Sequence, residues 1–338
     1  MASSTQTSFA AMAQKEQRKP PLRMVQLEGQ VLLKISQHCK ENSSFNTVVT
    51  GQLLGLDVGQ TLEVTDCFPF PSNLDDHDDH DGADYQLEMM RCLREINVDN
   101  NMVGWYQSTV SGSYQVVEII ETFVNYLENL ERCICIVYDV TASLSGNFGI
   151  KVIRLADSFV EAFREGTLTI EKIRSKGLSW KSVFVEIPIS IHNSPMAVAL
   201  MAEIENPSGC TQLDFDRLGL GVAPILEKSL EFLNDCLDDL VGEQNKLSMY
   251  HNQKRRYHQA VNQWKMQRKQ ENQTRKAMGE TLLSEEPPEG EFKEPTEPGQ
   301  LDNMLLANQM TAYTSHINST VGQAVEKLVL MERLQNAL

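Results

Sequence analysis

Apolar positions along the chain follow two regimes that meet near residue 190. In the first, helical and strand-like periods alternate. Val25, Leu27, Val31, Leu32 and Ile35 recur at mostly helical spacing through VQLEGQVLLKISQHC and predict a helix. TVVTGQLLGL and TLEVTDCFPF are β-rich runs on either side of the turn-prone DVGQ and predict a hairpin. Leu87, Met90, Leu93 and Ile96 mark a helix face in YQLEMMRCLREINV, and NMVGWYQ reads as a strand. VVEIIETFVNYLENL predicts the next helix, followed by strands CICIVYDV and FGIKVIRL across the turn-rich TASLSGN. Strands interleaved with helices predict a mixed α/β layer domain over residues 22–190.

In the second regime the strand signals stop. From Pro224, Leu226, Leu230, Leu233, Leu237 and Leu240 step by 4, 3, 4 and 3, a heptad seam that Leu247 continues. Tyr250, Tyr257, Val261 and Trp264 carry a looser version, so one helix is expected to run to about Ala277, a rod of roughly 80 Å. Residues 191–278 are expected to form a helical region, and residues 279–300, rich in Glu and Pro, read as an extended linker after it. The last segment, 301–338, places Ile317, Val321, Ala324, Leu328 and Met331 again at steps of 4, 3, 4 and 3. Residues 1–21, small and polar and ended by Pro20-Pro21, read as a disordered leader.

Charge removes several function classes. Thirty lysines and arginines against 46 acids leave 30 − 46 = −16, so a chain-wide electrostatic hold on nucleic acid is not expected. No apolar run reaches the ~18 residues of a membrane span, and the first 21 residues lack a secretory apolar core. A soluble, cytoplasmic protein is therefore expected. Seven cysteines with one close pair, Cys133 and Cys135, form neither a disulfide framework nor a zinc knuckle. The loop from Leu74 to Asp84 holds six aspartates and two histidines. An EF-hand register with Gly82 in sixth place puts Asp79, Asp81 and Glu88 well but His77 where the first carboxylate belongs, so a solvated acidic loop is the expectation.

VGWYQSTVSGSYQ, residues 103–115, with TGQLLGL upstream and TDCFPFP between, resembles the MPN domain, the fold of the JAMM metalloproteases. Active members carry His-Ser-His-Pro on this strand, Ser-x-x-Asp on the following helix and an upstream glutamate; the histidines and aspartate bind zinc. The resemblance puts Gln107 and Thr109 at the histidine positions and Val110 at the proline. Val117 and Ile120 fall at the serine and aspartate, and Gln52 at the glutamate. Only Ser108 keeps the family's residue. Glutamine and threonine are poor zinc ligands, valine and isoleucine bind nothing, and a carboxamide is no base near neutral pH. No histidine offers a substitute, since His38 lies on a helix, His77 and His80 in the acidic loop and the rest beyond the α/β domain. No catalytic residue, metal or other cofactor is expected. A zinc-dependent deubiquitinating isopeptidase is the disfavoured alternative.

Lys246 to Lys276 holds nine basic residues against Glu271 alone, a net of +8, with six glutamines and three aromatics interleaved. Lys254, Arg255, Arg256, Arg268 and Lys269 could meet phosphate; a helix face at an assembly surface is the preferred reading. RMVQLEGQVLLKISQHCKE, the CFPFP run, YQLEMMRCLREINVDNN and GWYQST together resemble the h-subunit family of eukaryotic translation initiation factor 3. The resemblance implies a non-catalytic scaffold that supports recruitment of mRNA and initiator tRNA to the small ribosomal subunit. It further implies pairing with the factor's second MPN protein, the f subunit, and a helical bundle shared with other subunits, with mRNA contacted directly or only through neighbours and no membrane. Inactive MPN subunits of the proteasome lid or signalosome are the nearest alternatives. Leu226, Leu230, Leu233, Leu237, Leu240, Ile317, Val321 and Leu328 are the candidate partner-binding positions.

Overall fold

A computed structural model describes residues 21–42, 48–71, 79–95, 101–144, 147–204, 221, 223–278, 284 and 294–337. The leader, the first part of the acidic loop and most of the Glu/Pro linker lie outside them.

The described chain runs β1 (Met24–Glu28), α1 (Gly29–Asn42), β2 (Thr50–Val58), β3 (Thr61–Pro69), α2 (Asp79–Glu95), β4 (Met102–Thr109) and α3 (Val117–Asn129). It continues with β5 (Ile134–Asp139), α4 (Val140–Leu144), β6 (Ile150–Leu155), α5 (Asp157–Arg164), α6 (Ile170–Lys176), β7 (Phe184–Ile187), β8 (Ile189–His192) and α7 (Pro195–Ile204). Two long helices close it, α8 (Ala223–Met278) and α9 (Leu301–Ala337). The strands form one mixed sheet in the order β7-β6-β5-β4-β2-β3-β1-β8, with β1 parallel to β3 and β8, β4 parallel to β5, and the other pairs antiparallel.

Helices cover both faces, so strand β5 is buried on each side and reads as an unbroken apolar run. Ile134, Ile136 and Tyr138 point to one core, where Val31, Ile35 and Cys39 of α1 pack. Cys135 and Val137 point to the other, where Trp105 meets Ile120 and Phe123 of α3 and Phe159 of α5. Burial pushes the Cys39 and Cys67 thiols up to about 12 and raises Cys133, Cys135 and Cys236 as well, so these sulfurs are packing groups and not nucleophiles.

Several expectations need correction. The helix predicted across 25–39 is a strand up to Glu28, because Val25 and Leu27 alternate into the sheet. The turn predicted at TASLSGN contains the short helix α4, started by Asp139, whose carboxylate accepts from the backbone N–H groups of Thr141 and Ala142. Helix α2 begins at Asp79, inside the stretch expected to be a solvated loop, and runs through Leu87, Met90 and Leu93 to Glu95; Ile96, the fourth position of the expected face, lies outside the described residues. A helical backbone through Asp79 and Asp81 is not that of a calcium loop.

Candidate functional site

Gln52, Trp105, Gln107 and Thr109 share one face of β2 and β4, because Thr50 pairs with Gln107 and Gln52 with Trp105. Helix α3 lies on this face: Trp105 stacks on Tyr126 with centroids 5.1 Å apart and meets Phe123 edge-on at 4.5 Å. The fold therefore brings five of the seven family positions to one pole, the five being Gln52, Gln107, Thr109, Val117 and Ile120. Three of them, Gln52, Thr109 and Ile120, are used otherwise. Gln52 is fully buried; its Nε2 donates to the Gly104 carbonyl at 2.7 Å, and its Oε1 accepts from the Tyr126 hydroxyl at 2.8 Å and from Gln86. Loss of hydration pushes the Tyr126 hydroxyl up to about 12, so it stays a proton donor to Gln52. Thr109 donates to the Ser113 carbonyl at 2.7 Å, and Ile120, at the aspartate position, is fully buried in the α3 core.

Ser108, a sixth position, faces the other way along the strand. Its Oγ accepts from the Val49 N–H and its own N–H donates to the Val49 carbonyl, both at 2.8 Å, which ties the start of β2 to β4. Gly104 at the strand's centre has φ 154°, and a Cβ there would stand 1.8 Å from the Ile134 carbonyl oxygen, so only glycine allows β4 and β5 to pair this closely. Among the described residues no group of three His, Cys, Asp or Glu side chains could hold a metal. The zinc positions do not fit the metal: Gln107 offers a carboxamide, the Thr109 hydroxyl is spent on a turn, and Ile120 is hydrocarbon.

The rim of the pole holds the C-terminal helices. Ser111, in a left-handed conformation with φ 56°, donates its N–H to the Thr141 hydroxyl, and its Oγ lies 3.4 Å from Ser229 Oγ of α8. Gln309 of α9 donates to Ser113 Oγ at 2.9 Å, and Asn308 to the Trp180 carbonyl at 2.8 Å. Met304 and Leu305 enter the α3 core, and Glu297, just before α9, accepts from the Ile170 N–H at the start of α6. Ser111, Ser113, Ser229 and Gln309 carried no periodic signal, since small polar side chains at a junction are visible only once their partners are placed.

Helices α8 and α9 run antiparallel. Phe232 stacks on Tyr313 at 5.9 Å, and farther along Asp302 lies near Lys246 and Glu297 near Lys254. The inward stripe of α8 is Ser229, Phe232, Cys236, Leu240, Glu243 and Leu247. The predicted leucine seam shares only Leu240 and Leu247 with it. Leu226, Leu233 and Leu240 are half-buried, whereas Leu230 (54% exposed) and Leu237 (41%) face outward with Val241. On α9, Tyr313, Ile317 and Thr320 face inward, and Val321, Val325, Leu328, Val329, Leu330 and Met331 are 42–60% exposed. Contiguous apolar exposure of this kind marks interaction surface.

The five basic candidates lie on α8 beyond this stripe. Lys254 sits 5.6 Å from the Tyr250 ring centroid and near Glu294 and Glu297, with its pKa raised by the Tyr250 hydroxyl first. Arg268 lies over Trp264 at 4.8 Å and pairs with Glu271, so that indole face is already covered by a cation. Arg255, Arg256 and Lys269 are exposed.

Comparison with known proteins agrees with this geometry. Residues 20–129 match the family described as JAB1/Mov34/MPN/PAD-1 ubiquitin protease, and residues 143–338 match the C-terminal region of eIF3h. A protein of Arabidopsis thaliana, named as the H subunit of eukaryotic translation initiation factor 3, is 48% identical over 338 residues, covering 99% of this chain and all of the relative. Proteins of the same name from Dictyostelium discoideum and Salmo salar are 39% and 36% identical, each over 93% of this chain and 95% and 91% of their own length. With an MPN sheet whose metal positions are refilled and a long helical pair matched through to residue 338, the chain belongs to the h-subunit family of eukaryotic translation initiation factor 3.

Proposed function

We propose that this chain is a non-catalytic scaffold subunit of cytoplasmic eukaryotic translation initiation factor 3, supporting recruitment of mRNA and initiator tRNA to the small ribosomal subunit. The observation that carries the scaffold reading is the apolar stripe left open on both C-terminal helices. Leu230, Leu237 and Val241 on α8 and Val321 to Met331 on α9 are oriented by an intrachain pairing that uses other residues. A stripe of this length joins a bundle with helices of other subunits. Helix α7, whose Met196, Val198, Leu200 and Ile204 are exposed, offers a further apolar surface next to the sheet's β8 edge. The expected neighbours are the other factor subunits, with the second MPN protein, the f subunit, foremost. The refilled pole supports the absence of catalysis.

Affinity purification of the tagged chain from eukaryotic cells, with mass spectrometry and metal analysis, tests both halves. Co-purification of the factor's subunits, f among them, without stoichiometric zinc is expected. Recovery of proteasome-lid or signalosome subunits in their place would reassign the assembly. Chelator-sensitive cleavage of ubiquitin chains would refute the non-catalytic reading.

A further inference from the structure

A groove of about 420 Å³ lies between the end of α3 and α5. Leu127, Leu130, Leu155 and Val160 give it an apolar floor, and Glu131, Asp157 and Glu161 bring carboxylates to it. Three arginines also line it. Arg132 is turned to Asp57 and the Gly59 carbonyl, Arg154 pairs with Asp157, and Arg164 stands exposed at the end of α5. Pro21 and Leu22, the first two described residues, belong to the same lining. Residues 1–20 therefore join the described chain at the groove itself.

The sequence of that leader complements the groove. Phe9 and Met12 are the large apolar side chains in the otherwise small run from Ser8 to Ala13. Lys15, Arg18 and Lys19 against Glu16 give residues 1–21 a charge of 3 − 1 = +2, whereas residues 22–338 carry 27 − 45 = −18. Lys19 and Arg18 stand two and three residues before Pro21, beside the rim that Glu131 and Glu161 occupy; Phe9 stands twelve before it, a reach of up to about 40 Å. Small and polar, with no apolar period of its own, the leader takes order only from a surface outside it. A segment tethered at the wall of such a groove needs only weak contacts, because its local concentration there is on the order of 1 mM.

We propose that this groove is the docking site of the chain's own leader, with Phe9 and Met12 on the apolar floor and Lys15, Arg18 and Lys19 against Glu131 and Glu161. The inference goes beyond the scaffold reading, which uses neither this groove nor the leader, and its failure leaves the co-purification result standing.

The full-length chain is compared by methyl NMR with the full-length Phe9→Ser, Met12→Ser variant, whose changes lie outside the folded core. Each is then titrated with a synthetic peptide of residues 5–19. The Leu127, Leu130 and Val160 methyl signals should differ between the two chains, and the peptide should return those of the variant to their wild-type positions. If the peptide binds the variant with a dissociation constant of about 0.1 mM, occupancy by the tethered leader at a local ~1 mM makes its affinity for the wild-type chain roughly tenfold weaker. Adding Glu131→Lys and Glu161→Lys to the variant, both exposed positions, should weaken the peptide several-fold. Groove methyls that are identical in the two chains would overturn the proposal, as would equal peptide affinity for both. Groove signals alike in both chains that move only when the factor's other subunits are added would overturn it too, and give the groove to a partner protein.

Discussion

The pole of the sheet and the outer face of the C-terminal helices carry opposite solutions to the same inheritance. At the pole, positions that in active MPN proteins point functional groups at a metal now point them at one another: Gln52 to Gly104 and Tyr126, Thr109 to Ser113, Ile120 into hydrocarbon. On the helices, leucines and valines that could have been buried within the chain are left facing out. Satisfied polar groups in a closed core have no chemistry to offer, while unsatisfied apolar surface is poised for a neighbour. The contrast is the one that the proposed scaffold role requires.

The sharpest way to break the contrast is to charge the open side. Leu230→Asp with Leu237→Asp puts two carboxylates into the stripe, which at a formed interface costs several kcal/mol; recovery of other subunits should fall by on the order of a hundredfold. Because both leucines are exposed in the isolated chain, its melting temperature should barely move. Unchanged subunit recovery would count against the stripe.

The closed side is tested by restoring its lost acid. Gln52→Glu removes the donor to the Gly104 carbonyl and buries a charge, a loss of about 2–4 kcal/mol. Burial raises the new carboxyl's pKa in the folded state. The folded chain then holds that proton more tightly than the unfolded chain does. The deficit should be smallest below the ordinary carboxylate range and should grow as pH rises through the folded value. Denaturant melts at pH 4 and pH 7, with zinc content by mass spectrometry, check this, and no zinc should be gained.

A smaller effect separates assembly from RNA contact on the basic half of α8. Changing Lys254, Arg255, Arg256, Arg268 and Lys269 together to glutamine keeps the helix. If each docks on an acidic partner at roughly 0.2–1 kcal/mol, subunit recovery should fall on the order of tenfold. Full recovery with lost RNA crosslinking would assign the face to phosphate instead.

The smallest effect lies on the sheet's opposite face. His38 Nδ1 is 2.9 Å from the Tyr106 hydroxyl, and burial holds the imidazole below its usual value, partly offset by Glu41. The unfolded chain therefore takes up a proton first as pH falls below about 6.5, and stability declines from there down through the folded value. His38→Gln should flatten that acid-side slope in thermal melts between pH 7 and pH 5 and leave subunit recovery unaltered.

Much of this was legible in the chain itself. Alternation or helical period marked β2, β3, β4, β5 and β6, and Pro224 with the leucine and aromatic spacing of α8 placed its ends within a few residues. Strand β1 was absorbed into a helix because Val25 and Leu27 also suit a helical count. Strands β7 and β8, four residues each, and the short α5 and α6 give too few positions for a period to emerge. The refilled pole was readable residue by residue through its family pattern. Its hydrogen bonds were not, since Gln52 finds partners 52 and 74 residues away. The leucine spacing was readable as a stripe, whereas the intrachain contact of Ser229, Phe232 and Cys236, one position off, was not, because a serine and a cysteine add little to an apolar period.

The bond from Gln52 to the Gly104 carbonyl also bears on ancestry. An acid restored at position 52, once ionised, faces that carbonyl without a proton to give, and an aspartate restored at 120 enters a hydrocarbon core. A histidine restored at 109 abandons the Ser113 carbonyl. Each of these three steps lowers stability by itself, and one ligand without the others holds no metal. Reversal would have to cross a valley several substitutions wide, and selection for a folded scaffold keeps the far side out of reach.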